Sequence, residues 1–150
     1  MAFTEEEIAY LRSQPLARLA TTGPEGQPDV MPVAFEYDGS VFWIGGSGES
    51  VLATRKFVNV RSGRPRIALV VDDMVSFDPF IARGIRVYGD ADGPVERTGL
   101  TGPGFYLRIT PRVSWSWNMA GEPAGAEAGL RLERVATGLA VWKATTESAR

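Results

Sequence analysis

Short runs of strand-type residues follow one another along this chain, separated by turns that contain glycine or proline. Residues 16–22 read LARLATT and lead into Gly-Pro-Glu-Gly, and residues 30–37 read VMPVAFEY and lead into an Asp-Gly hairpin signal. The run RIALVV at 66–71 is continuously apolar, which is typical of a strand buried on both faces. Residues 84–91 alternate as a strand does, and a pair of strands is expected around Pro111. The chain is therefore predicted to be mainly β and antiparallel.

Two helices are expected beside these strands. Thr4 and Glu7 have the spacing of a capping box, which predicts a helix from about Glu5 to Arg12. Pro15 ends this helix because it disfavours helical backbone at the residue before it. The stretch ESVLATRKFVNVRSG, residues 49–63, predicts a second helix that follows the first three strands.

The length of the chain predicts one domain. Its 150 residues fit a single hydrophobic core. Many short strands with few helices favour one β-barrel domain with accessory helices over residues 1–150 rather than βαβ units. The Gly/Ala-rich stretch at about 119–129 is expected to be a flexible loop. The opening MAFTEEEIAYL is acidic where a signal peptide is basic, and no apolar run reaches the roughly 20 residues of a membrane span, so a cytoplasmic protein is expected.

The amino-acid composition restricts the chemistry available to the chain. It has no cysteine and no histidine, which excludes thiolate nucleophiles, iron–sulfur clusters, thiolate-held zinc and the Ser-His-Asp triad, and no metal site is predicted. A formal charge of −2, from 16 basic and 18 acidic residues, gives no overall field for attracting nucleic acid or an anionic membrane. Enzymatic chemistry is therefore expected to come from a bound cofactor.

The most informative segment is basic and spans the end of the second predicted helix and the residues after it. Within RKFVNVRSGRPR, the cations are Arg55, Lys56, Arg61, Arg64 and Arg66. Arginine offers a planar fork of donors and lysine a compact charge, so Arg55 and Lys56 suit a phosphate-bearing ligand. Helical spacing places Asn59 beside Arg55, four residues away. A solvated helix face that only aids solubility is an equally good interpretation.

A glycine-rich turn precedes this segment at residues 45–48. It has neither the GxxxxGK[ST] spacing of a P-loop nor a complete GxGxxG, so both nucleotide-binding interpretations fail. Glycines at this point allow a tight turn and a close approach of the backbone to a ligand. A plain loop is equally compatible with the same residues.

Two further patterns have more than one interpretation. Residues 113–117 alternate with a period of two, so Val113, Trp115 and Trp117 share one face of a strand. The indoles suit a core, a subunit interface or a flat wall against an aromatic ring. Asp72 and Asp73 are adjacent and point to opposite faces, so salt bridges or a solvated strand end are expected rather than an acid–base pair.

The order of these segments resembles the pyridoxamine-phosphate-oxidase-like split β-barrel superfamily. The resemblance runs from Phe3 to Asn118 through LARLATTGPEGQPDVMPVAFEYDG, TRKFVNV, PRIALVVDD, RGIRVYGDA and ITPRVSWSW. Within the superfamily the chain is most similar to the deazaflavin (F420)-dependent reductase branch, in the group that contains reductases of tetracycline biosynthesis. The resemblance implies a split β-barrel of the FMN-binding type and a homodimer with the cofactor in a groove at the subunit interface.

The resemblance also implies a set of cofactor-binding residues. Arg55 and Lys56 match the basic pair that meets the phosphate, and Asn59 matches its polar neighbour. The other expected contacts are strand residues Pro32 and Val33, turn residues Gly46 and Ser47, and the late pair Ser116 and Trp117 from the other subunit.

The implied activity is that of a reductase. Reduced F420 would transfer hydride to an electron-poor C=C bond of a small organic substrate, and the narrowest expectation is a late ene-reduction of a dehydrotetracycline-type polyketide. Two alternatives remain open: an FMN-dependent enzyme of the pyridoxamine-phosphate-oxidase type, and a non-catalytic carrier of a cofactor or tetrapyrrole. No catalytic residue is assigned, although Tyr88 or Tyr106 could supply a proton. Asn118 and the short GLTGPG segment depart from the family pattern on the expected substrate side.

Overall fold

The computed structural model describes residues 3–123, which form seven strands and two helices. Helix α1 spans Glu5–Ser13 and α2 spans Arg55–Arg61. The strands are β1 Leu16–Thr22, β2 Pro28–Ala34, β3 Glu36–Tyr37, β4 Phe42–Ser47, β5 Arg66–Ser76, β6 Ile81–Gly99 and β7 Gly102–Trp117. Two short 3₁₀ turns, Pro24–Gly26 and Glu49–Ala53, complete the element order. No helix of this part of the chain is long and apolar enough to cross a membrane.

The strands form one antiparallel sheet in the order β2-β1-β5-β6-β7-β4-β3. The two strands at its edges, β2 and β3, are consecutive in the chain and are separated only by Phe35. The chain therefore passes from one edge of the sheet to the other in a single step, and the sheet must curl to permit it. The prediction of a mainly β, antiparallel split barrel is confirmed.

The interior of the barrel is filled by alternate residues of the strands. On β1, β5 and β6 the inward positions are mostly apolar, and the fully buried side chains include Leu19, Leu69, Val71, Ile85 and Val87. Aromatic rings close one end of this core: the Phe42 ring lies 4.9 Å from Tyr37 and 6.0 Å from both Phe3 and Phe35. Such tilted and edge-on pairs contribute about 0.5–1.5 kcal/mol each beyond the area they bury.

Several predicted elements differ from the structure. Residues 30–37 are two strands rather than one, because the chain turns the corner of the barrel at Phe35. The second helix is shorter than expected: Glu49–Ala53 is a 3₁₀ turn, and Thr54 has extended backbone with φ −69° and ψ 152° before α2 begins. The strand 66–71 is not buried on both faces as predicted, since only its inward face is buried and Ala68 and Val70 are partly exposed.

The pair of strands predicted around Pro111 is also wrong, since β7 runs unbroken from Gly102 to Trp117. Pro111 lies opposite Gly89 of β6, and the pairing register shifts between Tyr88 and Gly89. A proline has no N–H for the ladder and is tolerated within a sheet at such an irregularity. The bulge lets the strand continue where the sequence indicated a break.

Helix α1 is fixed to the barrel by two polar contacts, one buried and one partly buried. Its capping box is present: the Thr4 N–H donates to Glu7 Oε2 at 2.8 Å, and the Glu7 N–H donates to Thr4 Oγ1 at 3.2 Å. The other carboxylate oxygen of Glu7, Oε1, accepts from Ser116 Oγ at 2.8 Å. One side chain therefore caps its own helix and joins that helix to β7.

The second contact joins α1 to the β5–β6 hairpin. The Tyr10 hydroxyl donates to Asp73 Oδ1 at 2.6 Å, and Arg83 Nε donates to the same oxygen at 2.9 Å. Burial, followed by the hydrogen bond to Asp73, raises the pKa of Tyr10. Burial alone would raise the pKa of Asp73, but the hydrogen bonds from Arg83 and Tyr10 hold it below its ordinary value.

The described chain ends shortly after β7. The Asn118 side chain donates to the Ala82 carbonyl at 2.9 Å and, at the same distance, to the Glu122 carbonyl. Most of the stretch expected to be a flexible loop at 119–129, together with everything after it, lies outside the described residues.

Replacing Tyr10 with Phe should reduce the free energy of unfolding by about 1–2 kcal/mol, because a charge-assisted hydrogen bond to Asp73 is lost. Asp73 has a lowered pKa in the folded state, so its contribution is present above its ordinary pKa of 3.8 and is lost as the pH falls below it. The difference in the free energy of unfolding between wild type and Tyr10→Phe should therefore become smaller at acidic pH. Urea unfolding at several pH values measures it, with Tyr88→Phe as the control because that phenol is exposed.

Candidate cofactor site

Helix α2 attaches to the barrel by one face and presents cations on the other. Phe57, Asn59 and Val60 are buried against the barrel. Arg55 is exposed and Lys56 is half-buried at the first turn. The spacing of the buried residues therefore fixes the helix and leaves the basic pair available to a ligand.

Lys56 is the cation with the most distinctive environment. Burial lowers the pKa of its amine below the usual 10.5, and the negative charge of Asp29 on β2 partly opposes that shift. Asp29 lies on the same strand as Pro32 and Val33, so the charge that acts on Lys56 comes from the strand that the resemblance places beside the cofactor ring. A lysine that is partly removed from water gains more from an anionic partner than an exposed one does.

Asn59 lies beneath this basic pair rather than beside a ligand. Its side chain is 1% exposed, and its Nδ2 donates to Thr21 Oγ1 of β1 at 2.9 Å. The expectation that Arg55 and Asn59 face the same ligand does not match this placement, because the helix turns Asn59 into the protein and Arg55 out of it. Asn59 supports the helix and thereby orients the cations.

Residues 45–47 are not the turn that the sequence predicted. They form the end of β4 and pair with β7, and only Gly48 lies beyond the strand. Gly45 has no space for a side chain, since a Cβ there would collide with the backbone of Phe105 and Tyr106. Gly46 is less confined, because a Cβ would lie 3.7 Å from Val51 Cγ2. Ser47 is exposed at the end of β4. Strand β4 therefore ends in an exposed hydroxyl, eight residues before Arg55 at the start of α2.

Pro32 and Val33 occupy the edge strand β2. Pro32 is exposed and lies opposite Arg18 of β1, whereas the Val33 side chain is buried in the core. A ligand could therefore meet the Pro32 ring or the backbone of this strand, but not the side chain of Val33.

Ser116 and Trp117 lie elsewhere on the same sheet. Ser116 is 5% exposed and its hydroxyl is bound to Glu7, so it faces the core and is not free to bind a ligand. The Trp117 ring lies on the outer face against Gly84, where a Cβ would collide with it. Four strand spacings of about 4.8 Å separate β2 from β7, so Pro32 and Trp117 of one chain are roughly 19 Å apart along the sheet.

The remaining sequence candidates do not form a reactive cluster. Asp72 lies 3.2 Å from Arg18, and Asp73 pairs with Arg83, which confirms salt bridges rather than an acid–base pair. The Tyr106 hydroxyl is buried and donates to the Gly102 carbonyl at 2.7 Å, so it is not available to protonate a substrate.

The sequence did not reveal two of the long-range interactions of the predicted site residues. These are the electrostatic effect of Asp29 on Lys56 and the hydrogen bond from Ser116 to Glu7. Only the capping-box spacing of Glu7 was visible, and nothing in that spacing indicates its second partner.

Comparison with known proteins places this geometry in a family. Residues 3–97 match the family model described as pyridoxamine 5'-phosphate oxidase. A curated protein of Streptomyces rimosus, 5a,11a-dehydrotetracycline/5a,11a-dehydrooxytetracycline reductase, is 38% identical over 126 residues, which cover 81% of this chain and 87% of the relative. The chain belongs to the pyridoxamine 5'-phosphate oxidase family. The family predicted from the order of segments is thereby confirmed, and the chain is an oxidoreductase homologue.

Solved structures show the same fold. A conserved hypothetical protein of Mycobacterium tuberculosis is 25% identical, with a TM-score of 0.63 over 86% of this chain and 94% of its own. An F420 reductase is 21% identical, with a TM-score of 0.57 over 75% of this chain and 98% of its own.

The donor set of this family member fits a phosphate-bearing flavin or deazaflavin. Lys56 and Arg55 supply charge at the start of α2, and exposed Ser47 supplies a hydroxyl at the end of β4. The same donors would suit either cofactor, because the phosphate is common to both.

Replacing Thr21 with Val should test the support beneath the helix. The change leaves the buried Nδ2 of Asn59 without its acceptor, which should reduce the free energy of unfolding by about 1–3 kcal/mol. Urea unfolding measures the loss, and Thr22→Val on the opposite face of β1 is the control. Equal stability of the two variants would contradict the importance of the Asn59–Thr21 hydrogen bond.

Proposed function

We propose that this protein is an F420-dependent reductase that acts on an electron-poor C=C bond of a small organic substrate. The observation that carries the proposal is the 38% identity to a dehydrotetracycline reductase over most of both chains. The likeness in fold to an F420 reductase and the basic pair at the start of α2 support it. The narrowest form of the proposal is a late ene-reduction of a dehydrotetracycline-type polyketide in the cytoplasm.

The chain's own residues would bind and orient rather than react. Lys56 and Arg55 would hold the phosphate, with Gly46 and Ser47 beside it, and the β2 backbone at Pro32 and Val33 would lie along the ring. When bound, reduced F420 supplies the hydride that reaches one carbon of the double bond, and a proton from water completes the reduction at the other. Fixing the ring against a rigid strand converts an encounter in solution into an oriented one.

The proposed enzyme is a homodimer with its site at the subunit interface. Pro32 and Trp117 lie on β2 and β7 of one sheet and cannot meet within one chain. A second copy would bring its own Trp117 to the β2 side of the first, where the indole could close the pocket. Asn59 and Ser116 would then act as supports behind the contacting residues.

Binding of FMN is the second candidate, favoured by the family match itself. Titrating cofactor-free protein with F420 and with FMN, and following tryptophan quenching, distinguishes the two. We expect tighter binding of F420, because the chain resembles the deazaflavin-dependent branch and shares its fold with an F420 reductase. Tighter binding of FMN would overturn the choice of cofactor while leaving a flavin site in place.

Lys56→Ala should weaken F420 binding by about 1.5–3 kcal/mol, or roughly 10- to 150-fold, because a charge-assisted bond to phosphate is lost. Arg61→Ala is the matched control, since Arg61 is exposed in the last turn of the same helix. The measurement is the dissociation constant from fluorescence titration. An unchanged affinity in Lys56→Ala would remove this lysine from the site.

Cofactor affinity should also depend on pH through Lys56. Phosphate binds the protonated amine, so affinity is complete below the Lys56 pKa and is lost as the pH rises through it. Because burial lowers that pKa, the loss should begin at a lower pH than an exposed lysine would show. The arginine of Lys56→Arg keeps its charge, so the affinity of this variant for the cofactor should stay constant from about pH 7 to 10. If wild type and Lys56→Arg lose cofactor affinity over the same pH range, binding of the phosphate by the Lys56 amine is contradicted.

Turnover tests the reductase itself. Mixing the protein with reduced F420 and a dehydrotetracycline should oxidise the cofactor and yield the product reduced at the C=C bond, detected by mass. Tight binding of F420 without reduction of any electron-poor alkene would instead support a carrier.

A further inference from the structure

Arg86 lies on the outer face of β6 among aromatic rings. Its guanidinium carbon Cζ lies 4.5 Å from the centre of the Trp115 ring, which is its partner on β7. The same carbon lies 5.6 Å from the centre of the Tyr88 ring, two residues further along β6. The two rings meet edge-on with their centres 5.0 Å apart. Cation–π contacts of this kind hold the guanidinium in a fixed position on the sheet.

Arg86 differs from the other arginines of β6 and β7 because, among residues 3–123, it has no anionic partner. The Nε–H of Arg86 and the indole N–H of Trp115 also have no acceptor in this part of the chain. Donors that are removed from water normally have an acceptor, so the group that would complete this cluster is an acceptor. The arginines that do pair with carboxylates are Arg83, Arg97, Arg108 and Arg112.

The charge around Arg86 is positive. Arg18 and Arg86 lie on either side of Val70 in one row across the outer face of the sheet. Asp72, two residues along β5 from Val70, lies 3.2 Å from Arg18 and thus leaves the charge of Arg86 without a partner. Arg86 is half-buried, and a charge that is partly removed from water attracts an anionic oxygen more strongly than an exposed charge does.

Arg86 also lies beside a residue that is predicted to close the cofactor pocket. The Trp117 ring lies against Gly84, where a Cβ would collide with it. Gly84 and Arg86 are two residues apart on β6, which corresponds to roughly 7 Å along the strand. The subunit that brings Trp117 to the pocket therefore brings Arg86 as well.

The proposed reaction generates negative charge that such a cation can stabilise. A C=C bond is electron-poor when it is conjugated with a carbonyl group. Hydride from reduced F420 bonds to the carbon far from the carbonyl, and the electron pair of the double bond moves onto the carbonyl oxygen. The oxygen carries negative charge until a proton from water reaches the carbon beside the carbonyl, which leaves a saturated ketone. A donor that is already aimed at this oxygen lowers the barrier to hydride transfer.

We propose that Arg86 is a catalytic residue of the reductase, whose guanidinium donates to the carbonyl oxygen conjugated with the C=C bond. It stabilises the enolate that forms when hydride is added. The rings of Trp115 and Tyr88 form flat walls beside it, which suit a planar polycyclic substrate with several ketone and enol oxygens. The inference rests on the proposed function and specifies how the same site recognises its substrate.

Replacing Arg86 with Gln tests this role in turnover. The kcat for reduction of a dehydrotetracycline should fall roughly 100-fold or more, because the enolate oxygen loses a charged donor. The affinity for F420 should be unchanged, since Arg86 does not hold the phosphate. Arg86→Lys keeps the charge and should retain more activity than Arg86→Gln. Arg108→Gln is the control, because Arg108 is exposed on β7 and pairs with Asp92, and it should retain the wild-type kcat.

Tetracycline provides a measurement that does not depend on turnover, because its C=C bond at this position is already reduced while its ketone and enol oxygens remain. Equilibrium dialysis with F420-loaded protein gives its dissociation constant. Arg86→Gln should bind tetracycline roughly 10-fold more weakly or worse, because a charge-assisted hydrogen bond is lost. Arg108→Gln should bind it as wild type does. Urea unfolding of each variant shows whether the fold is retained.

The outcomes separate this inference from the proposed function. Wild type that binds F420 but reduces no conjugated ketone overturns the proposed function and the role of Arg86 together. Active wild type, with kcat and tetracycline affinity unchanged in Arg86→Gln, overturns the role of Arg86 alone. Loss of F420 affinity in Arg86→Gln, or equal losses of activity and stability in Arg86→Gln and Arg86→Lys, would show that Arg86 supports the structure instead of contacting the substrate.

Discussion

Closure of the barrel at Phe35 is the constraint on which the other features depend. Because β2 and β3 lie at opposite edges of the sheet and only one residue joins them, the sheet cannot lie flat. The closure is stabilised by the aromatic rings packed around Phe42, and it gives every strand an inner and an outer face. The inner faces of the strands form the hydrophobic core, and the outer faces are available for binding. The location of α2 follows as well, since it packs where the curved strands leave room for Phe57 and Val60.

The candidate site divides its tasks between residues that can touch a ligand and residues that hold them. Lys56, Arg55 and Ser47 have exposed or half-buried polar groups. Asn59 and Ser116 are buried and bonded to Thr21 and Glu7. Comparison of sequences within a family does not distinguish supporting residues from residues that contact the ligand, because both can be characteristic of the family. The burial of each side chain does distinguish them.

Sequence patterns predicted the strands well where local chemistry decides the structure. The capping box of α1 and the Asp38-Gly39 turn formed as expected, and in that turn Asp38 Oδ1 accepts from the Ser40 and Val41 N–H groups. The remaining features depend on contacts between residues that are far apart in the chain. The period-two alternation at 113–117 assigned the residues to two faces of a strand but did not indicate which face is buried. A bulge near Gly89 accommodates Pro111 within the unbroken strand. The phosphate-binding interpretation of the basic segment came from resemblance, since its charges alone fit a solvated helix equally well.

The hydrogen bond between Glu7 and Ser116 joins residues 109 positions apart. A ribosome makes α1 before β7, so the partner that this carboxylate needs is not yet present when its helix can first form. Contacts of such long sequence separation close late, because the loop between them must be ordered beforehand. This contact of α1 is therefore completed late, and a nascent chain cannot make it before Ser116 has left the exit tunnel.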